Sequence, residues 1–206
     1  MSLLTICEAL ALDVGLEVPD VVVSSSNREW NEALSMANAV GEELARRVDW
    51  PQLQTVTTVT GTGADDNLDL PADFSRMSMG AGVIGVGGIV RKLTRGEWNS
   101  LTATEGTPRY YIIDVSDTPA TYEAAIRLWP YLANAATVSV AYQSEDWCNA
   151  GDAFSADTDY SLIDEDLFAK ALMVRWRRQK GMDYADHEAE YEAALAQFAD
   201  FFTGER

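Results

Sequence analysis

Three glycines, Gly80, Gly82 and Gly85, stand at G-x-G-x-x-G spacing within MGAGVIGVGG, residues 79–88. Nucleotide-binding enzymes use that spacing to bring backbone N–H groups up to a pyrophosphate at the start of a helix. The chemistry requires strand, turn and helix in succession. Here the string follows LDLPADFSRMS (68–78), which reads as a loop, and runs into IVRKL (89–93), a short strand. No helix opens where a phosphate would need one. Glu97 and Glu105 sit loosely where a ribose-binding acid would stand, but acids are common in this chain. The other reading is a Gly-rich hairpin or loop, of a kind that can order against a partner.

Other chemistry finds less support. A nucleophilic Ser or Cys needs an adjacent base, and His187, the only histidine, sits mid-way along an amphipathic helix pattern, where it reads as a core or boundary residue. The run DAFSADTDYSLIDED invites comparison with a calcium loop. Counted from Asp157, however, the sixth and twelfth positions hold Leu162 and Phe168 instead of Gly and Glu. No pair among the 33 acids is singled out for glycoside hydrolysis. Cys7 and Cys148 lack metal-ligand spacing and read as reduced structural thiols of a cytosolic setting. The expectation is a protein with no catalytic residues, no cofactor and no metal.

The elements that must position any site fall into a simple order. A helix is expected over about Ser2–Val14, with Leu3, Ile6, Leu10 and Val14 on one stripe and Gly15 past its end. This apolar segment lacks a basic leader and carries Glu8 and Asp13, so it reads as a helix and not a signal peptide. A second helix starts from a Ser26/Glu29 capping box and carries Trp30, Leu34, Ala37, Val40 or Gly41, Leu44 and Val48 to Pro51. From Gln54 the period changes to that of strands: QTVTTVTGTG, RYYIIDV (109–115), AIRLW (125–129) and TVSVAY (137–142), the last two expected to pair as a hairpin. TRGEWNSLT (94–102) suggests a short helix packing Trp98 and Leu101. After Ser161 and Asp164, a capping pair, helical periodicity returns through Ile163, Leu167, Ala171 and Val174 to Gly181, and again from Asp183 through Tyr184, His187, Tyr191, Leu195, Phe198 and Phe202. The fold class expected is α+β: an antiparallel helical bundle built from the N- and C-terminal helices, with a central, mostly antiparallel β insertion. The helical domain would comprise 1–53 and 146–206, and the β-rich subdomain 54–145.

The formal charge is −18 and unevenly placed: residues 143–166 hold eight acids and no base, and 181–206 hold seven acids against Arg206 alone. Such a surface repels phosphate backbones, which argues against DNA gripping. It would suit a channel through which DNA slides, or simply keep the chain soluble before it meets a partner. No apolar run reaches the length of a membrane span. Against this background Arg175, Arg177, Arg178 and Lys180 stand out. They either complete a helix C-terminus or form a docking patch, for which acids of 143–166 such as Asp157 and Asp159 would be the complement on a neighbouring copy. In FADFFTGER, Phe198, Phe201 and Phe202 cluster, so the tail either packs on the first two helices or is an exposed anchor.

Several stretches together resemble the head-to-tail adaptor proteins of tailed phages, a group that includes tail tubular protein A of short-tailed phages and the adaptors of phage-like gene transfer agents. They are ELARRVDWPQL (43–53), LDLPADFSRM (68–77), GEWNSL followed by GTPRYYI, LWP then VSVAYQSEDW, and above all 154–195, with its acidic cap, Arg-Trp cluster, Lys-Gly turn and Asp-Tyr helix start. The resemblance implies a non-enzymatic ring protein, usually of twelve copies, that docks under the portal protein ring, extends the DNA channel and receives the downstream tail or stopper protein. DNA would pass through the lumen without specific binding. The location implied is the virion neck, after assembly in the host cytoplasm. Portal contacts would fall to the C-terminal segment, with Phe198, Phe201, Phe202 and Arg206. Inter-subunit contacts would fall to Arg175, Arg177, Arg178, Asp157 and Asp159. Two other readings remain open: a monomeric acidic interaction module, and a nucleotide-binding enzyme using the Gly80–Gly85 loop.

Overall fold

A computed structural model describes residues 1–78, 82–115 and 123–203, the side chains of 200–203 excepted. The chain separates into two compact units, residues 1–53 with 145–206, and residues 54–144.

The first unit is helical. Helix α1 (Leu3–Val14) starts at Ser2, whose side chain accepts from the Thr5 N–H, and stops at Gly15, whose φ of +73° releases the chain in the left-handed conformation. Helix α2 (Arg28–Arg47) is capped by the Asn27 side chain, which accepts from Glu29 N–H at 2.9 Å. The expected Ser26 cap is therefore displaced by one residue, because Asn places the same kind of acceptor closer to the first free N–H groups. A 3-10 turn (Pro51–Leu53) follows. Helix α4 (Glu165–Lys180) is capped by Asp164 and ends at Gly181, with φ of +68°; α5 (Ala185–Thr203) follows after Asp183, which accepts from Ala185 N–H. The Ser161 hydroxyl, expected to take part in that cap, accepts instead from Ile163 N–H. One apolar core joins these helices through Leu3, Ile6, Trp30, Leu44, Trp50, Leu167, Phe168 and Trp176, together with Trp147, Phe154 and Ile163 of the irregular segment before α4.

The second unit holds eight strands: β1 (Gln54–Thr60), β2 (Asn67–Asp69), β3 (Phe74–Met77), β4 (Val83–Gly85), β5 (Gly88–Lys92), β6 (Tyr110–Val115), β7 (Ala124–Trp129) and β8 (Thr137–Ser144), with the short helix α3 (Arg95–Trp98) between β5 and β6. Their order is β1-β8-β4-β5-β6-β7-β2, with β3 also on β8, and the two ends of the path, β1 and β2, meet without pairing. The sheet is thus nearly closed and barrel-like around its own core of Val59, Val83, Val90, Ile126, Leu128, Val138 and Val140.

This corrects the expected architecture. The described residues form a mixed α+β structure with an eight-stranded, barrel-like sheet and five helices, not a helical bundle bearing a small β insertion. Residues 68–78, read as a loop, supply parts of β2 and β3, which take their order from the strands beside them: β2 from β7, and β3 from β8 across a bulge between Phe74 and Arg76. The pairing of 125–129 with 137–142 is also corrected. Strand β7 gives its edges to β6 and β2, while β8 gives its own to β1 and to β3 and β4, so neither has an edge left for the other. The sheet also contains one parallel pair, β5 with β6. Among the described residues, no helix is long and apolar enough to cross a membrane.

Candidate functional site

Among the described residues, the glycine string makes no phosphate cradle. Gly80 lies outside the described residues, but Gly85 closes β4, which turns through Val86 and Gly87 directly into antiparallel β5, with Ile84 opposite Ile89. A strand-turn-strand offers no helix start and hence no free N–H groups aligned with a helix dipole. His187 is half-buried on α5 in a small cleft with Asp13, Lys170 and Glu190. Among the described residues no group of three His, Cys, Asp or Glu is placed to hold a metal ion. Burial pushes the Cys7 thiol up to about 12, with Asp157 adding to the effect, which makes it a poor nucleophile at neutral pH.

Charge and shape converge elsewhere in the helical unit. Helices α2, α4 and α5 enclose a cleft of about 520 Å³ floored by Val40, Ala171 and Val174 and bordered by Arg47, Arg175, Arg178, Glu43, Glu192 and Tyr191. The α2 side is ordered by Arg47, whose Nη1 donates to Glu192 Oε1 at 2.7 Å and to the Tyr191 hydroxyl at 3.3 Å. On α4, residues 175 and 178 are three apart and so share a face. Arg175 reaches Glu43 only at 3.4 Å, and Arg178 lies over the Tyr184 ring at 5.7 Å. Both guanidinium-bearing residues remain exposed.

The other two bases of the cluster are committed within the chain. Arg177 donates to Met173 Sδ and to the Asp183 carbonyl, the helix-terminus role. Lys180 sits 2.5 Å from Glu32 Oε2 and 4.6 Å above the Trp176 ring, and together with Arg28 it lowers the pKa of Glu32. Sequence periodicity does not disclose this pairing, since Glu32 and Lys180 are 148 residues apart.

The acidic segment is equally structured. Asp157 Oδ1 accepts from Val22 and Val23 N–H at 3.0 and 2.8 Å. Asp159, only 6% exposed, takes Ser155 N–H, Ser155 Oγ and Ala156 N–H on one oxygen, and these hydrogen bonds, the Ser155 N–H first, hold its pKa down. The backbone carbonyls of Asp157 and Asp159 accept from Leu4 and Leu3 N–H, satisfying donors at the start of α1. The structure does not bring these two acids to Arg175, Arg177 or Arg178 within one copy. It gives them the task of shaping the segment. Asn38, which no motif had singled out, fixes the same segment by accepting from Phe154 N–H at 2.9 Å.

In the tail, Phe198 packs against Trp50, with ring centroids 5.6 Å apart, at the margin of the helical core. Phe201 and Phe202 continue α5, but their side chains lie outside the description, as does Arg206 altogether.

The helical unit thus presents an apolar-floored cleft edged by exposed arginines, on helices tied to one another by ion pairs. Residues 1–204 match the family described as SU10 adaptor protein, and the chain belongs to that family. The match agrees with the resemblance to phage head-to-tail adaptors drawn from the sequence. No curated protein matches the chain.

Proposed function

We propose that this protein is a structural head-to-tail adaptor that forms a ring beneath the portal, extends the DNA channel and offers the platform on which the tail or stopper protein is attached at the virion neck. The observation that carries the reading is the family match over 1–204, nearly the whole chain. The net charge of −18 supports it, because a lumen lined with acids lets DNA pass without gripping it. Twelve copies is the number the resemblance implies. Within this reading the helical unit makes the ring contacts, with Arg175 and Arg178 as the attractive groups. The acidic segment of a neighbouring copy is their complement, and Asp157 and Asp159 hold that segment in shape. Since Phe198 is engaged by Trp50, portal contact falls to the residues beyond it, Phe201, Phe202 and Arg206.

The test is sedimentation of the purified chain, alone and with the portal ring of the same particle, followed by imaging. A stoichiometric ring on the portal is expected, and reversing Arg175 and Arg178 to Glu should weaken association at least tenfold with the melting temperature unchanged. A chain that stays monomeric beside an intact portal ring would overturn the reading in favour of a monomeric interaction module.

A further inference from the structure

The β-rich unit carries a surface that its own fold does not use. Alternation along the sheet places Val83 and Val90 inward, 0% and 2% exposed, and their neighbours Ile84 and Ile89 outward, 54% and 84% exposed. The two isoleucines face each other across the β4–β5 ladder, and Val86 at the turn is 95% exposed. On the same outer face, Ile84 pairs with Ser139 of β8, which pairs with Thr58 of β1, two residues from exposed Val56. Three large aliphatic side chains at one hairpin tip form a contiguous apolar patch of the kind that marks an interaction site.

Charge says what the patch fits. From Phe74 to Gly96 the chain has Arg76, Arg91, Lys92 and Arg95 and no acid, while the remaining residues hold 11 bases against 33 acids, a charge of −22. Arg95 is neutralised by Asp114 through two 2.7 Å hydrogen bonds. Arg91, on the same face as Ile89, stays 71% exposed, with Glu97 no closer than 3.7 Å. An anionic membrane would meet this tip favourably but would repel the rest of so acidic a chain. A second copy presents the opposite charge nearly everywhere else. Two hairpins meeting each other would bring like charges together, so the complement is a different surface of the second copy, a heterologous contact of the sort that closes into rings.

We infer that the β4–β5 hairpin is a subunit-subunit contact, its Ile84, Val86 and Ile89 packing on a second copy of this chain and Arg91 meeting that copy's acids. The inference rests on the ring reading and adds to it a contact on the β-rich unit. A stable interface buries about 800 Å² per partner, more than one hairpin tip supplies. The tip therefore works beside the contact proposed for the helical unit.

The experiment replaces Val86 with p-benzoylphenylalanine in the full chain, assembles it with the portal ring, irradiates it and identifies the cross-linked product by mass spectrometry. The expected product is a covalent dimer of this chain, with the photoprobe joined to an acidic region of the second copy. An Ile84→Asn, Ile89→Asn double variant, checked by circular dichroism for an unchanged fold, should lose at least tenfold in self-association. Rings that form with cross-links only to portal or tail protein, or with none, would overturn the hairpin contact and leave the ring reading standing. Flotation of the chain on anionic vesicles without a dimer cross-link would overturn it in favour of a membrane. Failure of the unsubstituted chain to assemble at all would overturn the ring reading, and the hairpin contact with it.

Discussion

Gly41 lies on α2 where the helix meets the indole of Trp147. A Cβ added there would lie 2.3 Å from Trp147 Cε2 and 2.4 Å from Cδ2 and Cζ2, more than an ångström inside normal carbon contact. The indole has nowhere to retreat: it is 1% exposed, stacked on Phe168 at 5.6 Å and met edge-on by Phe154 at 4.7 Å. Overpacking of this kind costs about 1–3 kcal/mol, and a rigid ring clamped on both sides belongs at the upper end. Against it, Gly→Ala in a helix interior gains about 1 kcal/mol. Gly41→Ala should therefore destabilise the helical unit by about 2 kcal/mol and lower its Tm by about 8 °C. Near-UV circular dichroism during urea and thermal unfolding reads the effect through the tryptophan itself. In a Trp147→Phe background, which removes the second ring, the same alanine should cost less than half as much, a coupling that the double-mutant cycle isolates. A Gly41→Ala protein at least as stable as the parent would refute the reasoning, because propensity would then have outweighed a contact that must be absent.

Asp114 anchors a cluster in the β-rich unit, where Arg95, then the Val115 N–H, and Arg127 at 3.0 Å hold its pKa down from 3.8 to about 2. A carboxylate depressed on folding stabilises above its unfolded pKa, so this contribution is complete at neutral pH and is lost as pH falls from about 4 to about 2. The shift corresponds to about 2.5 kcal/mol, which solvent screening of so exposed an arginine partner reduces to about 1 kcal/mol. Asp114→Asn should lower the urea midpoint accordingly at pH 7 and flatten its fall below pH 4; an unchanged acid limb would count against the pairing. Asp157→Ala should leave Val22 and Val23 N–H without their acceptor, Val22 being wholly buried, and cost about 1–3 kcal/mol in chemical denaturation. Unchanged stability combined with lost self-association would show instead that Asp157 is itself an inter-subunit residue.

Helix boundaries were legible wherever local chemistry decides them. Gly15 and Gly181 stop α1 and α4 with positive φ because no other residue adopts that conformation so cheaply, and the apolar stripes of α2 and α4 mark the faces that the core buries. What decides the sheet is not local. Strands β2 and β4 are three residues long and β3 is four, too short for alternation to register, and Pro71 between β2 and β3 reads as loop chemistry. The partner of β8 depends on which strands reach its two edges first, something no window around residues 137–144 contains. The same holds at the candidate site. The basic run 175–180 was visible as a run, but its division into committed Arg177 and Lys180 and exposed Arg175 and Arg178 depends on Asp183, Glu32 and Tyr184, which the fold delivers. Asp157 and Asp159 were visible as charge and as part of a run that fails the calcium-loop template. Their hydrogen bonds reach Val22 and the start of α1 across more than 130 residues.

In the proposed ring, copies of a chain with a charge of −18 meet an electrostatic difficulty, since every copy repels the next at long range. At physiological ionic strength that repulsion is screened beyond about 8 Å, so what decides association is the charge within contact distance. Exposed cations stand beside apolar surface in two of the places described: Arg175, 3.4 Å from Glu43, with Arg178 beside an apolar-floored cleft, and Arg91, 3.7 Å from Glu97, beside the apolar hairpin tip. Each pairs an exposed cation with apolar surface, so that the attraction giving register to a contact acts where desolvation can give it strength. Elsewhere the bases are largely spent inside the subunit, Arg28 and Lys180 on Glu32, Arg46 on Glu42, Lys170 on Asp166, Arg95 and Arg127 on Asp114. A chain needing only solubility has no reason to place its exposed cations against exposed or clefted apolar surface, one such place on each compact unit. A subunit that must meet its neighbours in one orientation, while leaving the rest of its surface repellent to DNA and to mispaired copies, has that reason.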